Sequence, residues 1–270
     1  MKSNIFKIFY IVFLVLFIHT MSYSQDSPIK LKVLSSLQMQ TEEYKVEDAS
    51  GYGIGAQMNF SLTRKLNVGL KVHYDHQNLT QDDVLDEWNW EYWEDTYIDF
   101  LPGTEPEIVN RTLRYTSTDS IYSAVFEPTQ TLKELRIYGG FEFSQPITAK
   151  LQAYLGCDAG FSIFFRELKM QEHWTKRFKL DTLTTDRFDY EYEYDLLHFA
   201  PSKSGTTFFM SPFIGTKYLL SSSVDLDLGF HYIHYMNRKE IGGLKLSNAA
   251  EKWFPLKSKI QISVGITFKY

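Results

Sequence analysis

The sequence predicts an all-β protein: a closed antiparallel transmembrane β-barrel of eight strands, with long outer loops extended as β-hairpins. Three observations predict it. Strand-length segments alternate apolar and polar residues from residue 29 to the C-terminal Tyr270. Within those segments, charge falls on only one of the two faces. The connections between them alternate between short and long.

The first element is a leader. "MKSNIFKIFYIVFLVLFIHTMSYSQ" has Lys2 and Lys7 ahead of an apolar run from Ile8 to Ile18, then a small-x-small site at Ser22-Tyr23-Ser24. That is the anatomy of a secretory signal peptide, and the run is shorter than the roughly 20 residues a spanning helix needs. No cysteine follows the run, which argues against a lipoprotein. Residues 1–24 are therefore read as a signal peptide and 25–270 as one barrel domain, a length one such domain accommodates. The chain of 270 residues carries a formal charge of -5, and its single cysteine, Cys157, has no internal disulfide partner.

Eight strands follow, since strand side chains reverse face at each residue. Segment 29–41 sets Ile29, Leu31, Val33, Leu37 and Met39 against Lys30, Lys32, Gln38 and Gln40. Segment 51–62 sets Tyr52, Ile54, Ala56, Met58 and Phe60 against Gly53, Gly55, Gln57 and Asn59. In 66–74 it is Leu66, Val68, Leu70 and Val72 against Asn67, Lys71 and His73. In 134–143, Leu135, Ile137, Phe141 and Phe143 oppose Arg136, Tyr138 and Glu142. Segment 149–165 opposes Leu151, Leu155, Phe161 and Ile163 to Lys150, Gln152, Tyr154, Asp158 and Ser162. Segments 206–218 and 224–235 follow, the second with Leu226, Leu228 and Phe230 against Asp225, Asp227 and His231. The last, 256–270, ends "ISVGITFKY", with Ile262, Val264, Ile266, Phe268 and Tyr270 on the apolar face.

A soluble sandwich shows the same alternation with its apolar face buried. The connections separate the two. Residues 63–65, 144–148 and 219–223 are short turns, whereas 42–50, 75–133, 166–205 and 236–255 are longer. Short turns on one side and long loops on the other are the habit of outer-membrane barrels, and an open sheet cannot span lipid. An even strand count brings both termini to the short-turn side. Residues 111–126 could add a further hairpin and make ten strands.

The chain resembles the small outer-membrane β-barrel proteins of Bacteroidota, of the OmpX or OmpA-barrel type. "SYSQ" at the cleavage site, "LKELRIYGGFEFSQPITAKLQAYLGCDAGFSIFF" and the C-terminal "ISVGITFKY" carry the resemblance. It implies a bacterial outer-membrane location, contact with outer-membrane lipid and lipopolysaccharide, and recognition of strand 262–270 by the barrel-assembly machinery. The peptidoglycan-binding domain of full-length OmpA-like proteins is not in the sequence.

The interior of an eight-stranded barrel is just wide enough for side chains. The inward face supplies a polar network of Lys32, Lys71, Arg136, Glu142, Asp158, Lys217, Asp225 and Asp227, joined by Asp75, Glu134, Lys150, His231, Lys257 and Lys259. Mixed signs fit an ion-paired plug, because buried charges need partners. Inward glycines leave room for Tyr138 and Tyr154. The loop 77–131 is acidic and aromatic: Glu87, Glu91, Glu94 and Asp95 interleave with Trp88, Trp90 and Trp93. Open to solvent, such residues would bind a glycan or an extracellular protein; packed together, they would only fold the loop. In loop 166–205, a basic arm (Arg166, Lys169, Lys176, Arg177, Lys179) precedes an acidic one (Asp186, Asp189, Glu191, Glu193, Asp195), predicting a hairpin with opposite charges across it. Asp119-Ser120-Ile121 and Asp181-Thr182-Leu183 resemble a short O-glycosylation pattern.

No Gly-x-Ser-x-Gly elbow, His-Glu-x-x-His helix, phosphate-cradling loop or basic nucleic-acid patch occurs. The expectation is a non-enzymatic, monomeric surface scaffold or binding protein with no catalytic residue, metal, cofactor or nucleic acid. The alternatives are a small pore through the lumen and, third, a rim hydrolase using His73 and Asp75.

Overall fold

The computed structural model describes residues 29–63, 65–90, 107–109, 111–178, 190–236 and 252–270. The proposed signal peptide, Trp93, Glu91, Glu94 and Asp95 lie outside them. The strands are β1 (Ile29–Gln40), β2 (Asp48–Ser61), β3 (Leu66–Thr80), β4 (Glu107–Val109), β5 (Thr112–Thr116), β6 (Tyr122–Pro146), β7 (Leu151–Phe178), β8 (Tyr190–Phe199), β9 (Lys203–Ser221), β10 (Val224–Met236) and β11 (Ser258–Lys269). One helical turn, α1 (Val84–Trp88), follows β3.

All eleven strands form one sheet, and eight of them close on one another. The antiparallel ladder runs β1, β2, β3, β6, β7, β9, β10, β11 and returns to β1. The closing pair is in register from Lys30↔Lys269 to Gln40↔Lys259. Each of the eight segments read from the sequence is one strand of this ring.

Alternation decides what faces where. Leu70 on β3 is 64% exposed on the outside, while its neighbours Gly69 and Lys71 face inward. Outward positions Val33, Ile54, Leu70, Ile137, Leu155, Ile214, Leu228 and Val264 carry apolar side chains to the surface. The polar set is buried instead, with Asp75, Glu134, Asp227 and Lys259 fully enclosed. Lys150 and Lys257 depart from expectation: they sit beyond the ends of β7 and β11, where the alternation has lapsed, and both are exposed.

Two short turns use one device. In 62–66 and 147–151, a Thr-x-Lys-Leu sequence lets Thr63 Oγ1 and Thr148 Oγ1 accept the Leu66 and Leu151 N–H at 3.0 Å. The Leu66 and Leu151 carbonyls accept two backbone N–H groups each, closing the turn. This is hydroxyl-assisted turn chemistry written into the sequence.

At the opposite end the wall continues beyond the ring. β7 is 28 residues long, well over the roughly 3–10 residues usual for a strand. Its upper part pairs with β8, and β5 pairs with the start of β6. The hairpin in 111–126 therefore exists but joins the wall, and the ring stays at eight. The predicted 166–205 hairpin also exists, its turn (179–189) lying outside the described residues.

Glycines admit the largest interior rings. A Cβ on Gly215 would lie 2.3 Å from the Tyr154 ring, and one on Gly160 2.4 Å from Tyr138 Cβ. Gly215→Ala is expected to destabilise the protein by about 1–3 kcal/mol through overpacking. Urea unfolding followed by tyrosine and tryptophan fluorescence reads this; an unchanged midpoint would mean that Tyr154 has room to move.

Candidate functional site

From the short-turn end to the mouth, the interior is a column of ion pairs. Lys269 meets Asp225 at 2.7 Å and Lys217 meets Glu142. Lys32 meets Asp227 at 2.6 Å, and Tyr154 Oη donates to the same carboxylate at 2.7 Å. Lys71 pairs with Asp158 at 2.8 Å while its ammonium sits 4.3 Å from the Phe213 ring centroid. The predicted lumen residues are thus brought together, two by two, across strands distant in sequence.

Nearer the mouth the pairs fuse. Asp75 takes Arg136 Nε at 2.8 Å and Lys259 Nζ at 3.1 Å. Lys259 also reaches Glu134 at 2.6 Å, and Glu134 accepts from Gln77, Ser162 and Tyr235, each at 2.7 Å. His73 lies 3.0 Å from Asp75 and is enclosed with it. That placement removes the geometric basis for a rim hydrolase, since substrate could not reach either side chain.

An apolar layer covers this column. Leu132, Phe164, Phe209, Ile233, Phe254 and Leu256 are all buried there, Phe254 packing 4.6 Å from Tyr235 and 5.1 Å from Phe164. A second apolar layer lies in the wall above: Val84, Trp88, Trp90, Phe126, Met170 and Trp174. Trp88 and Trp90 are therefore core residues, not solvent-facing platforms. Their burial follows from the length of β6 and β7, whose inward faces rise past the ring and must be covered.

Between the two layers sits a polar node. Arg166 is fully buried and donates to Gln130, Gln81 and Glu87, the last at 2.7 Å. Trp88 Nε1 donates to the same Gln130 oxygen at 3.0 Å. The sequence reading placed Arg166 in the basic arm of the hairpin; parity with Asp158 and Ser162 on β7 was the signal that it points inward.

In the upper hairpin one ion pair forms between the predicted basic and acidic arms, and a histidine not among the predicted basic residues adds another. Arg177 meets Glu191 at 2.8 Å and His173 meets Asp195 at 2.7 Å. Lys176 instead lies over the rings of Phe178 and Tyr122. Burial pushes the Tyr194 phenol above its ordinary range. At the rim, Lys257 donates to Glu42 and holds that carboxyl below its usual value. Among the described residues, no group of three or more His, Cys, Asp or Glu could hold a metal ion.

No protein-family profile matches this chain, and no curated protein matches its sequence. Solved structures do match. Neisserial surface protein A is 12% identical over 90% of this chain and 97% of its own, with a TM-score of 0.42. Ail, the attachment invasion locus protein of Yersinia pestis, in complex with the heparin analogue sucrose octasulfate, is 8% identical over 91% and 100%, at 0.40. The outer membrane protein OprG from Pseudomonas aeruginosa is 10% identical over 90% and 95%, at 0.36.

Removing one partner of a buried pair leaves the other charge uncompensated, at a cost of about 3–5 kcal/mol. Asp75→Asn, which leaves Arg136 without a paired carboxylate and Lys259 with Glu134 alone, is expected to reach that range in urea unfolding. A loss below about 1 kcal/mol, the range of exposed pairs, would mean that water reaches the column.

Proposed function

We propose that the chain is an outer-membrane barrel of a bacterial envelope, with residues 1–24 removed on export and a non-enzymatic role at the cell surface. One observation carries the reading: the ring is inverted. Its outward positions between Tyr74 and Leu66 on β3, and at matching heights on every other ring strand, bear no Lys, Arg, Asp or Glu. Aromatic rings gather at both ends of that band, Tyr52, Tyr74 and Phe165 above, Phe143, Tyr218 and Phe268 below. An uncharged band with aromatic girdles suits lipid, and water would penalise it. The short turns, the start of β1 and the end of β11 then lie on the periplasmic side.

The lumen supports a scaffold over a conduit. Its charges are spent on one another and an apolar layer crosses the mouth. The wall above the membrane is the surface offered to partners. Among the described residues β8 pairs with β7 alone, so its other edge is open to an added strand. Glu191, Glu193 and Asp195 line the outer face of β8, and Tyr190 and Tyr192 stand exposed on its inner face. An extended segment of an extracellular protein fits this edge better than a glycan does, because strand addition supplies its own hydrogen bonds.

Topology is tested with single cysteines in a Cys157→Ser background. Glu193→Cys should react with an impermeant maleimide on intact cells, and Ser222→Cys only after the envelope is opened. The reverse pattern would overturn the orientation. Leu70→Lys should lower stability in lipid vesicles by about 2–4 kcal/mol; a neutral result would remove the lipid-facing assignment. In a planar bilayer the folded protein should give no discrete conductance steps, and reproducible steps would restore the pore.

A further inference from the structure

The polar node at the mouth is unevenly charged. Arg166 Nε and Nη2 donate to Gln130 Oε1 at 2.9 and 2.6 Å, Nη2 also to Gln81 Oε1 at 2.6 Å, and Nη1 to the Trp253 carbonyl at 3.4 Å. Glu87 is its only carboxylate among the described residues. Lys203, opposite Arg166 across the β7–β9 ladder, holds its ammonium 4.4 Å from the Trp253 ring and 5.6 Å from Trp88. No carboxylate pairs with Lys203 among the described residues. Among the described residues, two cations therefore face one anion, Arg166 fully buried and Lys203 half-buried, in a layer where charge is costly to leave unbalanced.

The parts of the node are unequally anchored. Gln130, Arg166 and Lys203 stand on three neighbouring ring strands. Glu87 stands on the single turn α1, whose Asp83 makes no side-chain cap. Its side chain keeps 19% of its surface open, while that of Arg166 keeps none. Gln81 Nε2 also donates to Glu87, at 3.0 Å. A carboxylate is thus received by two donors, Arg166 Nη2 and Gln81 Nε2, with a second cation beside them, and the carboxylate now there is the more open partner of the pair.

We infer that the mouth is a binding site for a small carboxylate, and that Glu87 fills it from within as an exchangeable substitute for that ligand. Exchange conserves charge in the enclosed layer. The released Glu87 turns its carboxylate to solvent from a turn that stays packed through Val84 and Trp88, and the incoming anion gains Lys203. The inference rests on the node alone and not on the orientation of the ring in a membrane.

The test uses the full-length folded protein in detergent, with thermal unfolding and tryptophan fluorescence as readouts, since Trp88 and Trp253 border the node. Glu87→Ala should unfold at a lower temperature than the parent. Sodium acetate should restore most of that loss saturably, and sodium chloride at equal ionic strength should not. In Glu87→Ala with Lys203→Met, half-saturation should need about tenfold more acetate, the loss of one charge-assisted contact. Equal effects of acetate and chloride, or an acetate effect as large and as tight in the parent as in Glu87→Ala, would overturn the proposal. If Glu87→Ala does not fold, Glu87→Asp replaces it, and an acetate response no greater than the parent's counts against it equally. None of these outcomes alters the cysteine-labelling pattern, so the two readings fail separately.

Discussion

The structure depends on the pairing of charge inside a closed ladder. A ring of eight strands leaves an interior the width of its side chains, and here those side chains are largely ionic. Isolated, any one of them would cost several kcal/mol to enclose. Enclosed together, each meets an opposite charge from another strand: Lys32 from β1 with Asp227 from β10, Lys71 from β3 with Asp158 from β7, Lys217 from β9 with Glu142 from β6. These contacts act as register marks. A one-residue slip of any ring strand would turn its charges outward and its apolar residues inward, so the ion pairs and the outer band enforce the same alignment.

That double enforcement explains why the fold was legible in the sequence. Alternation in Leu66–Tyr74 or Ile262–Tyr270 is local, and a strand facing two different media must write both faces into consecutive residues. Even the turns are local, since Thr63 and Thr148 close theirs with their own hydroxyls. The lumen set was legible for the same reason: inwardness is parity. Which partner each charge would take was not, because the pairing of Lys32 with Asp227 depends on the circular order of strands and on their stagger.

The mouth was less legible, and its ambiguities share one cause. Trp88 and Trp90 lie in an acidic stretch without strand periodicity, so composition left a solvated loop and a loop folded on its own aromatics both open. What buries them is the extension of β6 and β7 past the ring, which raises an apolar inner face (Phe126, Leu168, Met170 and Trp174) that something must cover. Arg166 was misplaced likewise. Read with its sequence neighbours it belongs to a basic arm; read by parity from Asp158 it points inward. Where a strand outruns its segment of clean alternation, parity is the better guide.

The order of layers along the axis bears on what the molecule can pass. A column of paired charges alone would admit water between its members and conduct whenever a pair parted. The layer of Leu132, Phe164, Phe209, Ile233 and Phe254 changes this, because a bare ion crossing it would exchange its hydration for mostly apolar side chains. Ion pairing supplies structural specificity and the apolar layer supplies tightness, so neither has to do both. The Arg166 node lies beyond that barrier, toward the wall. An event there, such as exchange of the carboxylate on Arg166, can move the Glu87 side chain without opening the column beneath. In this architecture the node can rearrange while the ion-paired column beneath it keeps its register.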